Sequence, residues 1–139
     1  LETCGNLGFR VQIETAGTVW QECLDQPHVE IICSPKTGVI KPEIREKAVG
    51  FKYVINIADD PFGESSLDVD GLPSATTQIK GGRKKPLAKP RPGAPIYLSP
   101  CDLHEDKEGT EANYRAVGEI ALKHGYRAGV QLHKLLNLP

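Results

Sequence analysis

The sequence predicts an α/β fold built on a mostly parallel sheet, and three observations carry that expectation. Short strands rich in β-branched residues alternate with helical stretches, the order from which parallel sheets with right-handed crossovers are made. Phe9, Val11 and Ile13 alternate with Arg10, Gln12 and Glu14, the period of two of a strand. Four stretches, Phe9 to Thr18, Val29 to Lys36, Ile96 to Asp102 and Ala128 to Lys134, also share one form. Each is an apolar run that ends in polar residues, and in parallel α/β folds function gathers where a strand hands over to the next element.

Taken in order, Leu1 to Gly8 reads as the tail of a helix closed by Gly5 or Gly8. The first strand follows and is broken by Ala16 and Gly17, with Thr18 placed to cap a short helix over Val19 to Asp25. Val29-Glu30-Ile31-Ile32-Cys33 suits a buried parallel strand and stops at the loop Ser34-Pro35-Lys36-Thr37-Gly38. Pro42 fits the first turn of a helix over Glu43 to Val49, ended by Gly50, with a third strand from Phe51 to Ile57.

From Ala58 to Pro95 no periodicity persists, and the stretch holds most of the prolines, so a solvated insertion is expected. Order returns with Ile96 to Leu98 and the segment Ser99-Pro100-Cys101-Asp102. Thr110 is the expected N-cap of the longest helix, which carries Val117, Ile120 and Ala121 at helical spacing and stops at Gly125. A last strand runs from Tyr126 or Arg127 to Leu132. Five strands are too few to close a barrel.

At 139 residues, 39% apolar and 25% charged, the chain has the composition of an ordinary soluble domain. No run approaches the roughly 18 apolar residues of a membrane span, no signal peptide is visible, and a cytoplasmic location is expected. The four cysteines show no Cys-x-x-Cys pairing and read as reduced thiols. With no methionine and a first segment like the end of a helix, residues are expected to precede Leu1 in the parent protein.

The strand ends offer Glu14 and Thr15, Ser34 and Lys36, Ser99 and Asp102, and Gln131 and His133. Carboxylates and hydroxyls grouped in this way suit a sugar, an amine or an amino-acid head group, and Lys36 suits a carboxylate or phosphate. Other chemistries stay open on pattern alone. Cys33, Cys101, His104 and His133 are the residue types that bind zinc, and Cys101 with His133 or His104 is a thiol–imidazole pair. The basic stretch 80–91 (Lys80, Arg83, Lys84, Lys85, Lys89, Arg91) suggests a non-enzymatic module that binds a nucleotide or RNA. Against nucleic acid stands the lack of any aromatic residue between Phe62 and Tyr97 for bases to stack on.

Read together, the rim segments resemble one family. Ile13-Glu14-Thr15-Ala16-Gly17 is similar to the Glu-Thr-Asn-Gly strand end of the 7-carboxy-7-deazaguanine synthases, which are radical S-adenosylmethionine enzymes. Cys33-Ser34-Pro35-Lys36 resembles their Ser-Pro-Lys segment, and Phe51-Lys52-Tyr53-Val54 their next, lysine-bearing strand. Leu98-Ser99-Pro100-Cys101-Asp102 resembles their Gln-Pro-Met-Asp segment in part, and the ending Val130 to Pro139 their Gln-x-His-Lys tail.

The resemblance implies that residues 1–139 are the C-terminal portion of a single radical S-adenosylmethionine barrel domain, an incomplete (β/α) barrel, with 58–95 as a loop insertion. It implies S-adenosylmethionine, a [4Fe–4S] cluster and Mg²⁺ as cofactors. The implied reaction is ring contraction of 6-carboxy-5,6,7,8-tetrahydropterin to 7-carboxy-7-deazaguanine with loss of ammonia, on the route to queuosine. Glu14, Ser34, Pro35, Lys36, Ser99, Pro100, Cys101 and Asp102 would contact S-adenosylmethionine, and His133 and the Pro139 carboxylate the pterin. The cluster's Cys-x₃-Cys-x₂-Cys loop and the metal site are expected upstream of Leu1, so this chain alone should be inactive. A homodimer and an electron donor such as flavodoxin are the expected partners. Ala16 stands where the family has asparagine, and Ser99 and Cys101 where it has glutamine and methionine.

Overall fold

A computed structural model describes residues 1–57, 67–75 and 86–130. Its elements run α1 (Glu2–Asn6), β1 (Val11–Thr15), β2 (Val29–Cys33), α2 (Pro42–Lys47), β3 (Ala48–Ile55), β4 (Ile96–Pro100), α3 (Lys107–His124) and β5 (Arg127–Ala128). The five strands form one sheet in the order β1-β2-β3-β4-β5, and every neighbouring pair is parallel. Consecutive parallel order means that each crossover moves one strand along in the same direction. With the usual right-handed crossovers, all connecting segments then cover one face and leave the other to a barrel interior. The α/β class and the parallel sheet expected from the sequence are therefore observed.

Register sorts the side chains onto those two faces. Thr15, Cys33 and Phe51 lie in one row across β1, β2 and β3, with Phe51 next to Ile96 and Tyr53 next to Leu98. This face is the core: Ile31, Cys33, Phe51, Tyr53, Ile55 and Leu98 are buried against Ile44 of α2 and Ala116 and Val117 of α3. The alternate residues, Gln12, Glu14, Glu30, Ile32, Gly50, Lys52, Val54, Tyr97, Ser99 and Arg127, share the opposite, largely polar face. Near the amino end of that face the Arg127 guanidinium lies 5.2 Å over the Tyr97 ring. The ring in turn lies over Gly50, where an added Cβ would meet it at 2.6 Å.

Several element ends differ from the sequence expectation, each for a local reason. Gly8, with φ of 78°, closes α1: Phe9 N–H donates to the Cys4 carbonyl and Gly8 N–H to that of Gly5. Gly5 is inside the helix. Thr18 caps nothing, because the segment before β2 is a single 3₁₀ turn, Glu22–Asp25, that starts after Gln21. Gly50 does not end α2. The helix stops at Lys47 and the chain enters β3 at once, with Gly50 paired to Ile32 where the Tyr97 ring leaves no room for a side chain. The cap of α3 is Asp106, whose carboxylate accepts from Gly109 N–H at 2.9 Å. Thr110 instead sits in the first turn, and its hydroxyl accepts from Leu103 N–H. Gly125 ends α3 in the left-handed conformation as expected. Of the last strand, Arg127–Ala128 is observed, and 131–139 lie outside the described residues.

The largest revision concerns the segment between β3 and β4. Its described parts are not a solvated loop. Leu72, Pro73 and Ala88 are buried with Phe51 and Tyr53, in the layer where a crossover helix would lie. Tyr53 donates its hydroxyl to the Ala88 carbonyl at 2.8 Å, and Ala88 N–H donates to Thr37 at 2.8 Å. Arg45 donates to the Lys89 carbonyl at 2.9 Å, and Tyr126 to that of Asp70 at 2.9 Å. These bonds satisfy an irregular backbone that could not otherwise be buried.

Candidate functional site

Because the strands are parallel, all their carboxyl ends reach one rim, and backbone bonds carry the ladder past the strands. Ser34 N–H donates to Thr15 at 2.7 Å, Cys101 N–H to Ile55 at 2.8 Å and Gly129 N–H to Leu98 at 2.6 Å. The turn after β1 depends on Gly17, which has φ of 81° and donates to the Thr15 hydroxyl at 3.2 Å. A Cβ there would meet Ile40 at 2.8 Å and the Cys33 sulfur at 2.9 Å. Close packing thus fixes the hand-over behind Glu14.

On the open face, Lys52 of β3 reaches across β2 to Glu14 of β1, with Nζ 2.9 Å from one carboxylate oxygen and 3.2 Å from the other. Ile32 lies between them on the same face. From the loop after β2, Lys36 donates to the buried Ser34 hydroxyl at 3.3 Å. Burial pushes the Lys36 ammonium below its usual range; Glu14 opposes that shift and Lys52 adds to it. Two cations therefore share the field of one carboxylate at the rim.

The remaining expected residues fall into four groups. Pro35 and Pro100 are buried, and Pro100 pairs with Ile55 at the end of the ladder. Ser99 is buried on the same face as Lys52, next to Val54. Asp102 accepts from His104 N–H at 2.8 Å and lies 3.8 Å from the His104 ring, so it shapes its own turn, in which His104 has φ of 56°. His133 and Pro139 lie outside the described residues.

Among the described residues no three His, Cys, Asp or Glu side chains gather as a metal-binding group, so Cys33, Cys101 and His104 do not form the soft-ligand set. Cys33 faces the core, and burial pushes its thiol up to about 11. The donor set present does not fit a [4Fe–4S] cluster, which needs grouped thiolates. It does fit an adenosyl amino acid: a carboxylate for a diol, an ammonium for a carboxylate, and a hydroxyl beside them. The described part of the basic stretch is engaged elsewhere. Lys89 pairs with Asp68, and Arg91 donates to the Ala48 carbonyl at 3.2 Å.

Two residues escaped sequence reasoning as members of the site. Lys52 has a polar place in an apolar alternation, Phe51-Lys52-Tyr53, and lies in the strand that resembles the family's lysine-bearing one, but neither signal gave it a role at the rim. Asn113 was marked only as an amide on the apolar stripe of α3. Fully buried, Asn113 accepts from Ile57 N–H at 2.8 Å and donates to the Cys101 carbonyl at 3.0 Å and the Asn56 side chain at 3.3 Å. It ties the carboxyl ends of β3 and β4 together.

Comparison with known proteins adds one finding to this geometry. Over 136 residues the chain is 39% identical to 7-carboxy-7-deazaguanine synthase of Rhodospirillum rubrum, a match that takes in 94% of this chain. The chain is similar to 7-carboxy-7-deazaguanine synthase. It spans about half, 54%, of that relative's length, in agreement with the expectation of a portion of such an enzyme. The likeness to 7-carboxy-7-deazaguanine synthase covers nearly the whole chain, so it rests on the sheet and its connections rather than on one rim segment. No family model and no solved structure matches. Among the described residues no helix is long and apolar enough to cross a membrane.

Proposed function

We propose that this chain is the C-terminal portion of a radical S-adenosylmethionine lyase of the 7-carboxy-7-deazaguanine synthase type. The reaction is the ring contraction of 6-carboxy-5,6,7,8-tetrahydropterin with loss of ammonia. The observation that carries this reading is the cluster of Glu14, Ser34 and Lys36 at the rim of a parallel sheet with 39% identity to that enzyme. In this reading Glu14 accepts from the two vicinal ribose hydroxyls, since a carboxylate has lone pairs for both. Lys36 holds the methionine carboxylate, with Ser34 orienting its ammonium. Pro35, Ser99, Pro100, Cys101 and Asp102 line the adenosyl side, while His133 and the Pro139 carboxylate meet the pterin.

A [4Fe–4S] cluster supplies one-electron reduction when bound, and its thiolates come from the remainder of the enzyme, as does the Mg²⁺ site. Flavodoxin or a similar carrier is the electron source, and the assembly is a homodimer in the cytoplasm. The test is turnover by the anaerobically reconstituted full-length protein with S-adenosylmethionine, Mg²⁺, reductant and the carboxylated pterin. The expected product is 7-carboxy-7-deazaguanine, identified by mass. Cleavage of S-adenosylmethionine without that product would overturn the substrate and keep the reaction class. Lys36→Ala should weaken S-adenosylmethionine binding about tenfold or more, the effect of losing a charged hydrogen bond.

A further inference from the structure

The Glu14 carboxylate is held from across the sheet: Lys52 contacts both of its oxygens, at 2.9 and 3.2 Å. The two sides of the pair come from strands that are not neighbours, with β2 between them. Lys52 therefore holds Glu14 from the far side of β2. We infer that Lys52 is a positioning residue: it fixes the Glu14 carboxylate to receive a ribose diol. The inference rests on the adenosyl-binding reading above and adds the residue on which ribose recognition depends.

The chemistry follows from lone-pair counts and charge. An ionised carboxylate offers about four acceptor sites, and Lys52 occupies two of them, one on each oxygen. The rest remain for two hydroxyl donors. Without Lys52, an exposed glutamate samples several rotamers, and ordering it anew on binding opposes association.

The test measures binding of S-adenosylhomocysteine and its 2′-deoxyribose counterpart to the full-length protein by calorimetry. Variants are Lys52→Met, Lys52→Gln, Lys52→Arg, Glu14→Gln and the Glu14→Gln/Lys52→Met pair. The wild type should prefer the ribose ligand by about tenfold or more. Lys52→Met and Lys52→Gln should bring that preference near unity, Lys52→Arg should keep most of it, and the double variant should behave like Glu14→Gln alone. If Lys52→Met does not fold, Lys52→Gln and Lys52→Arg carry the comparison. Retention of the full ribose preference in Lys52→Gln, while Glu14→Gln loses it, would overturn the positioning role and leave the adenosyl reading standing. No ribose preference in the wild type would overturn that reading, and the inference with it.

Discussion

The two faces of the sheet are built from the same strands and do opposite work. One presents Ile31, Cys33, Phe51, Tyr53, Ile55 and Leu98 to helices and to the buried parts of the β3–β4 connection. The other presents Glu14, Lys52, Tyr97, Ser99 and Arg127, with pairs that remain open to water, such as Arg10 with Glu30. Burial of apolar area stabilises the first face by roughly 1.5–3 kcal/mol for each large side chain. Exposed ion pairs on the second contribute about 0–1 kcal/mol each. The polar face is therefore loosely bound to its own partners, and its groups can exchange them for those of a ligand. The apolar face keeps the strand ends from moving while that happens.

Substitutions on each face should separate the two roles. The largest loss is expected for Phe51→Ala, about 3–5 kcal/mol in the denaturant unfolding of the full-length protein. A loss below about 1 kcal/mol would mean that the core is not centred on β3. Asn113→Ala should come next, because it removes the acceptor of the Ile57 N–H, at about 1–3 kcal/mol for a buried donor left unpaired, and a bond to the Cys101 carbonyl. It also frees the end of β4, so S-adenosylhomocysteine affinity should fall with it. Unchanged affinity in a destabilised variant would show that the β4 rim needs no tether.

Cys33 sharpens the contrast through pH. Its folded thiol is raised from 9.0 to about 11, so the native state holds the proton more tightly than the unfolded chain. That stabilisation is fully present below pH 9 and is lost as pH rises toward 11. At about 1.4 kcal/mol per pKa unit it amounts to roughly 2–3 kcal/mol, readable as a fall in Tm that Cys33→Ala removes. Alkylation at pH 8 should reach exposed Cys23 and leave Cys33 unmodified until unfolding. The smallest effect belongs to the open face. Lys52→Met should change stability by no more than about 1 kcal/mol, and a larger loss would make the Glu14 pair a structural bond.

What could be read from the sequence follows the same division. Strand β2 was legible residue for residue, because a β-branched run between turn signals has few other homes. The end of α3 was legible because Gly125 takes a conformation that other residues avoid. Gly50 misled for the opposite reason. Its small size answers a ring from β4, a contact 47 positions away that no local pattern carries. The β3–β4 connection hid its buried residues because Leu72-Pro73 and Leu87-Ala88 are short apolar pairs set among glycine, proline and polar residues and follow no period. The rim cluster was half legible: Glu14, Ser34 and Lys36 were marked by their place after strands, whereas Lys52 belongs to the site through a side chain that crosses a neighbouring strand.

One irregularity in β3 governs which residues reach which side. Ile31 pairs with Ala48, yet Ile32 pairs with Gly50, so Val49 is an extra residue left 44% exposed. That single bulge resets the alternation, letting Ala48 pack beneath α2 while Phe51, three positions later, still points the same way. Were Val49 drawn into the ladder opposite Ile32, every later residue would slip by one, turning Lys52 into the apolar layer and Phe51 to the open face. Loss of Val49 would instead leave Ala48, Gly50 and Phe51 opposite Ile31, Ile32 and Cys33 in plain alternation. The junction should therefore tolerate a deletion at Val49 better than the insertion of a residue beside it.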